Sequence, residues 1–191
     1  MDAASLATCA QALRSGGVVC YPTETFYALG IDFQCPVAIR NLYALKGRDE
    51  MKALPCIASD CEHVARYCDT SHSLYDLLAS RFWPGPLTLV LPSRLKPGET
   101  IAVRVSSHPI ARQLAKALDS LLVSTSANRS GEPAITEPAF LSSKIREGIS
   151  ILLDAGKTQG EHPSTIVSLV GALPHILRQG AIPESEIMAL I

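Results

Sequence analysis

The sequence predicts a single α/β domain built on one twisted sheet, and three observations lead there. Short apolar runs with strand character are interspersed with stretches whose apolar residues recur at helical spacing. The 191 residues are enough for one sizeable core. No internal repeat, low-complexity tract or long linker divides the chain, so one domain over residues 1–191 is the simplest organisation.

Each element has its own signal. Residues 2–14 place Leu6, Ala10 and Leu13 at helical spacing, and Gly16-Gly17 stops that helix. Residues 18–21 read as a buried strand, which Pro22 and Thr23 break into a loop. Pro36 suits the first turn of a helix running through Leu42 and Leu45. Residues 54–58 form a short strand, and Asp60 can cap a helix after it. A helix over 73–82 runs into Trp83-Pro84-Gly85-Pro86, where the chain must turn. Strands follow at 87–91 and 101–105, then a helix from Pro109 to Leu118, a strand at 121–124 and a polar loop to Ala134. A helix near 137–147, strands at 150–153, 165–169 and 175–178, and a short helix from Pro183 complete the body.

Composition narrows the function. With 17 Lys and Arg against 18 Asp and Glu, the chain carries a net charge of -1, so any anion site must come from local clustering. The N-terminus lacks the basic and apolar regions of a signal peptide. No apolar run is long enough to span a membrane, which points to a cytoplasmic protein. The six cysteines form no C-x-x-C pair and read as reduced thiols. Cys56, Cys61, His63, Cys68 and His72 match no common zinc spacing, so no metal site is expected.

Several motifs fail. Gly156-Lys157-Thr158 resembles the end of a phosphate-binding loop, but Ile151 stands where that loop needs its first glycine. Ser126 lacks the flanking glycines of a nucleophile elbow. Polar clusters remain. Lys46-Gly47-Arg48 with Lys52 puts three cations in seven residues, suited to a triphosphate or to a solvated loop. The stretch 124–131 (STSANRSG) follows an apolar strand and offers hydroxyls, an amide and a glycine to a phosphate or ribose. Arg104 sits inside an apolar strand, where a cation needs an anionic partner, a cavity or a solvent-facing edge. Residues 21–25 leave a strand with hydroxyls and the Glu24 carboxylate, a pattern that also fits a capping turn.

In order along the chain, these clusters resemble the YrdC/TsaC family of threonylcarbamoyl-AMP synthases. The matching stretches are 17–30 (GVVCYPTETFYALG), 45–55 (LKGRDEMKALP), 82–90 (FWPGPLTLV), 102–109 (AVRVSSHP), 124–133 (STSANRSGEP), 153–167 and 176–182 (ILRQGAI). The family pattern K-x-R…S-x-N falls on Lys46, Arg48, Ser126 and Asn128. The resemblance implies a twisted mixed sheet with flanking helices and a large electropositive cavity. It implies ATP as a substrate with Mg2+ held mainly by the nucleotide, and L-threonine with bicarbonate or CO2 as the other substrates. The product would pass to a threonylcarbamoyl-transferase complex that modifies tRNA; direct contact of this chain with tRNA is left open.

The resemblance also assigns roles. Lys46 and Arg48 would be catalytic. Lys46, Arg48, Lys52, Ser126, Asn128 and Arg178 would hold the ATP phosphates, with Thr100 beside the nucleotide. Thr23, Tyr27, Arg104, Ser124 and Thr165 would form the threonine pocket, Arg104 pairing with the amino-acid carboxylate. Three departures stand out: Ala28 replaces a usual Gly, Ala134 replaces a common Ser, and His162-Pro163 interrupts the usual Gly-x-Glu-Ser-Thr stretch before Ser164 and Thr165. The chain reads as the short form without an extra C-terminal domain. Two other readings fit the same residues: a paralogue with related carbamoyl-adenylate chemistry, and a non-catalytic RNA-binding module. The second is disfavoured by an aromatic content of 5% and the slightly acidic balance.

Overall fold

The computed structural model describes residues 2–49 and 53–190. Helix α1 spans Ala3–Arg14, its first turn capped by the Asp2 carboxylate, which accepts from Ser5 N at 2.8 Å. It ends at Gly16, whose φ of 83° is one that glycine adopts without steric cost. Strands β1 (Val19–Pro22) and β2 (Tyr27–Asp32) form a hairpin; helix α2 (Pro36–Lys46) follows and leads to β3 (Cys56–Ala58). Helices α3 (Cys61–Tyr67) and α4 (Tyr75–Phe82) precede the antiparallel pair β4 (Leu87–Pro92) and β5 (Thr100–Val105). Helix α5 (Pro109–Leu118) and β6 (Leu122–Ser126) come next, then α6 (Ser143–Glu147), β7 (Ile151–Leu152), β8 (Thr165–Ser168), β9 (His175–Arg178) and α7 (Glu184–Met188).

All nine strands join one sheet in the order β7-β1-β2-β6-β3-β5-β4-β8-β9. The sheet is mixed: β1 with β7, β3 with β5 and β4 with β8 run parallel, and the other neighbours run antiparallel. Alternate residues of each strand point to opposite faces. One face carries Cys20, Leu29, Val123, Cys56, Val103, Leu89 and Val167 into the larger core. The other presents Val19, Tyr21, Ala28, Leu122 and Ile57 to Leu13 of α1 and Leu114 of α5. Helices α1 and α5 pack on each other and on β1 and β2 or on β1, β3 and β6 respectively.

Two sequence expectations are corrected. Residues 27–32 form a strand where the pattern reading, after the loop at Pro22 and Thr23, expected no element. Ala28, Gly30 and Asp32 are poor strand formers, and tertiary pairing with β1 and β6 outweighs propensity there. Gly30 is required by packing, since a Cβ on it would come within 2.6 Å of the Tyr21 ring. The helix expected near 137–147 is instead a single tight turn at Pro138–Phe140 followed by the short α6, begun by the Ser142 cap. Among the described residues no helix is long and apolar enough to cross a membrane, and the six cysteines are free thiols.

Candidate functional site

Beyond β3, the face that α1 and α5 cover elsewhere turns polar. Arg104 on β5 lies in register with Ile57, so both side chains emerge on that face, while Val103 and Val105 enter the opposite core. Thr88 on β4 likewise alternates with the core residues Leu87 and Leu89. Its hydroxyl lies 2.9 Å from that of Ser164. Ser164 in turn holds Arg178 of β9: Nε and Nη2 donate to the Ser164 carbonyl at 3.1 and 2.8 Å, and Nη2 reaches the Ser164 hydroxyl at 3.1 Å. Burial lowers the pKa of Arg178, and the Arg104 and Arg48 guanidiniums lower it further. Residues 48 and 104, far apart in the chain, thus both lie within electrostatic reach of Arg178.

Lys46 closes this group from the side of α2. It sits four residues beyond Leu42 and eight beyond Ala38, on the buried stripe of the helix, and is 2% exposed. Its Nζ donates to the backbone carbonyls of Ser126 and Asn128, at 2.5 and 2.6 Å. The Lys46 carbonyl accepts from Ser130 N at 2.9 Å, so the end of α2 and the loop after β6 are tied at both levels. Burial pushes the Lys46 ammonium down to about 8; Arg48 adds to the fall and Glu132 opposes it. Arg48 donates to the Ala53 carbonyl at 3.0 Å. The Asn128 amide nitrogen donates to the Glu132 carbonyl, while its buried Oδ1 has no partner among the described residues.

Beside Arg104 lies a carboxylate that sequence reasoning did not select as a site residue. Glu24 Oε1 lies 2.8 Å from Arg104 Nη1, with the two side chains 12% and 10% exposed. Its other oxygen accepts from the Ser106 hydroxyl. The turn that carries Glu24 is organised by Thr23, whose hydroxyl donates to the Phe26 carbonyl at 2.7 Å and accepts from the amides of Thr25 and Phe26 at 3.2 Å. The buried Tyr21 hydroxyl stands beside Ser124 and feels both Arg104 and Glu24; burial raises its pKa. The sequence signals for Glu24 were its place in the polar stretch 21–25, which also fits a capping turn, and Arg104, a cation in an apolar strand that requires an anion.

The remaining expected residues divide. Ser124 lies on the Arg104 side of the sheet, alternating with the core residue Val123. Thr100 shares Arg104's face of β5, four residues away and exposed at the strand's start. Tyr27 and Thr165 lie on the opposite, apolar side. The Tyr27 hydroxyl donates to the Gly156 carbonyl at 2.7 Å and accepts from Ala155 N at 3.0 Å. The Thr165 hydroxyl donates to the Ile182 carbonyl at 2.7 Å and accepts from the amides of Gly180 and Ile182 at 3.0 Å. Both hydroxyls hold loops, as does Thr23. Ala28 packs in the apolar layer under α1. Lys52 lies outside the described residues. Among the described residues no group of three or more His, Cys, Asp or Glu could hold a metal ion.

Comparison with known proteins identifies the family and the fold. The Sua5–YciO–YrdC family model, described as "Telomere recombination", matches residues 11–180. A threonylcarbamoyl-AMP synthase of Pyrococcus abyssi is 33% identical over 94% of this chain and 55% of its own length. One from Chromohalobacter salexigens is 39% identical over 86% of this chain and 92% of its own. The crystal structure of P. abyssi Sua5 complexed with L-threonine superposes with a TM-score of 0.93 at 31% identity, covering 100% of this chain and 58% of that one. The chain therefore spans a little over half the length of the Pyrococcus relative, and 56% of that from Bacillus subtilis. With the family model matched over most of its length and its fold shared throughout, the chain belongs to the Sua5–YciO–YrdC family.

Proposed function

We propose that this chain joins L-threonine, CO2 or bicarbonate, and ATP into threonylcarbamoyl-AMP, releasing pyrophosphate. The observation that carries this reading is a chain of neighbouring cations: Arg48 lies within electrostatic reach of both Lys46 and Arg178, and Arg104 within reach of Arg178. Relatives named threonylcarbamoyl-AMP synthase, and a threonine complex of a protein with the same fold, support it.

In this reading Arg104 takes the threonine carboxylate, with Ser124 beside it. Thr23, Tyr27 and Thr165 shape the pocket from behind, through the loops they hold. Lys46, Arg48 and Arg178 face the triphosphate, and Lys52, Ser126, Asn128 and Thr100 complete the nucleotide contacts. A carbamate oxygen of N-carboxythreonine attacks the α-phosphorus, and the bond to the pyrophosphate oxygen breaks. No protein nucleophile is needed; the cations stabilise charge on the leaving group, and alignment lowers the remaining barrier. Among the described residues no carboxylate cluster stands ready to hold a metal, and a Mg2+ ion would be held mainly by the nucleotide and water. The product would then pass to a threonylcarbamoyl-transferase complex acting on tRNA, in the cytoplasm, where free thiols persist.

A mass-spectrometric product assay tests the reading. Incubated with ATP, bicarbonate and each amino acid in turn, the protein should form threonylcarbamoyl-AMP and pyrophosphate, with threonine favoured. Pyrophosphate release without threonine or bicarbonate, or no adenylate at all, contradicts it.

A further inference from the structure

We infer that Glu24 is a catalytic residue of this reaction: it binds the ammonium group of the amino-acid substrate and accepts the proton that must leave before carbamate can form. The inference rests on the reading above. An amino acid offers two charges, and its ammonium nitrogen lies only about 2.5 Å from its carboxylate carbon. A ligand whose carboxylate sits on Arg104 therefore carries its ammonium into the immediate neighbourhood of Glu24, which lies 2.8 Å from that guanidinium.

The pair is built to serve both charges at once. Arg104 Nη1 pairs by charge with Glu24 Oε1, a buried oxygen without a hydrogen-bond partner among the described residues, and its other guanidinium N–H groups pair with no further carboxylate among them. They are available to a carboxylate in a planar fork. Glu24 is fixed from three directions: by Arg104, by the Ser106 hydroxyl, and by the Thr23-centred turn beneath it. Ser106 also accepts from His108 N at 3.2 Å, which joins the carboxylate to the start of α5. The charged and titratable groups facing Glu24 are Arg104 on β5, Tyr21 on β1 and His108 ahead of α5. The Tyr21 hydroxyl is buried without a hydrogen-bond partner of good geometry, a polar atom turned toward the same spot.

The step balances as follows. The ammonium gives one proton to the Glu24 carboxylate, and the nitrogen lone pair so freed attacks the carbon of CO2. One C=O electron pair moves to oxygen, and the new N–H acid loses its second proton to bulk water, leaving the carbamate. Glu24 returns its proton to solvent after turnover.

Glu24→Gln keeps the side-chain shape but cannot take the proton. At neutral pH its forward synthesis from threonine, CO2 and ATP should fall by about 100-fold or more, the range of a lost general base. The loss should shrink as pH is raised and free amine becomes populated in solution. ATP formation from supplied threonylcarbamoyl-AMP and pyrophosphate does not use the ammonium, so in the same preparation its loss should be much the smaller of the two. An unchanged forward rate, or an equal loss in both directions at every pH, overturns the inference and leaves Glu24 a structural partner of Arg104. A wild-type protein that performs neither direction overturns the function itself.

Discussion

One face of the sheet is divided into two halves that differ in kind. Over β1, β2, β6 and β3, Val19, Tyr21, Ala28, Leu122 and Ile57 are sealed beneath Leu13 of α1 and Leu114 of α5. Over β5, β4, β8 and β9, the same face bears Arg104, Thr88 and Arg178, with Ser164 at the start of β8. Alternation along the strands is unbroken across the boundary, so the change is chemical and not topological. A sheet face that stops being apolar while its opposite face remains core has been assigned to something other than folding. The first half supplies rigidity, and the second presents charges on that rigid support.

That division can be broken at graded cost. The largest effect is expected at Leu114, which is fully buried between α5 and the sheet. Leu114→Ala should cost about 2–5 kcal/mol of stability in denaturant unfolding, while turnover per folded molecule is retained. A variant that keeps its stability but loses turnover would erase the distinction between the halves. Lys46→Ala should act in the opposite sense. Loss of its charge-assisted contacts is worth about 2–3 kcal/mol, read as adenylate formation reduced by about two orders of magnitude, with circular dichroism unchanged. Wild-type turnover by that variant would remove Lys46 from the site.

Titration sharpens the comparison. Burial holds the Lys46 ammonium at about 8, below the ordinary lysine value of 10.5. Between those values the unfolded chain binds the extra proton, so this group's contribution to stability rises with pH across that window and falls away as pH drops through about 8. Affinity for a triphosphate runs the other way, because the protonated form attracts the anion. ATP binding, measured by calorimetry, should weaken as pH passes about 8, and Lys46→Met should lack that step. A smaller effect belongs to Thr88→Val, which removes one buried hydroxyl from the Ser164 support of Arg178 and should cost about 1 kcal/mol. The smallest is Arg66→Ala. It deletes an exposed pair with Asp119, at 2.9 Å and 51% and 75% exposed, and should change neither stability nor turnover measurably.

Much of this was legible in the residues. Arg104 announced itself as a cation in an apolar strand, and Lys46 falls in phase with Ala38 and Leu42 on α2, so its burial follows from helical periodicity. The missing parts have physical causes. Glu24 sits in a turn whose hydroxyls read as ordinary capping, and only the fold reveals that Arg104 meets a carboxylate supplied by the chain itself. β2 was hidden because Ala28, Gly30 and Asp32 are chosen for close packing and pairing, not for intrinsic strand preference. Tyr27 and Thr165 entered the expected threonine pocket through the family resemblance alone; in the fold their hydroxyls bond to the loops at 155–156 and 180–182.

The most direct test is a crystal structure of this protein with L-threonine and a non-hydrolysable ATP analogue bound together. The expected result has the amino-acid carboxylate on Arg104, its nitrogen facing Glu24, and the triphosphate among Lys46, Arg48 and Arg178. Either ligand seated away from the polar half of the sheet, with those side chains untouched, would contradict the account.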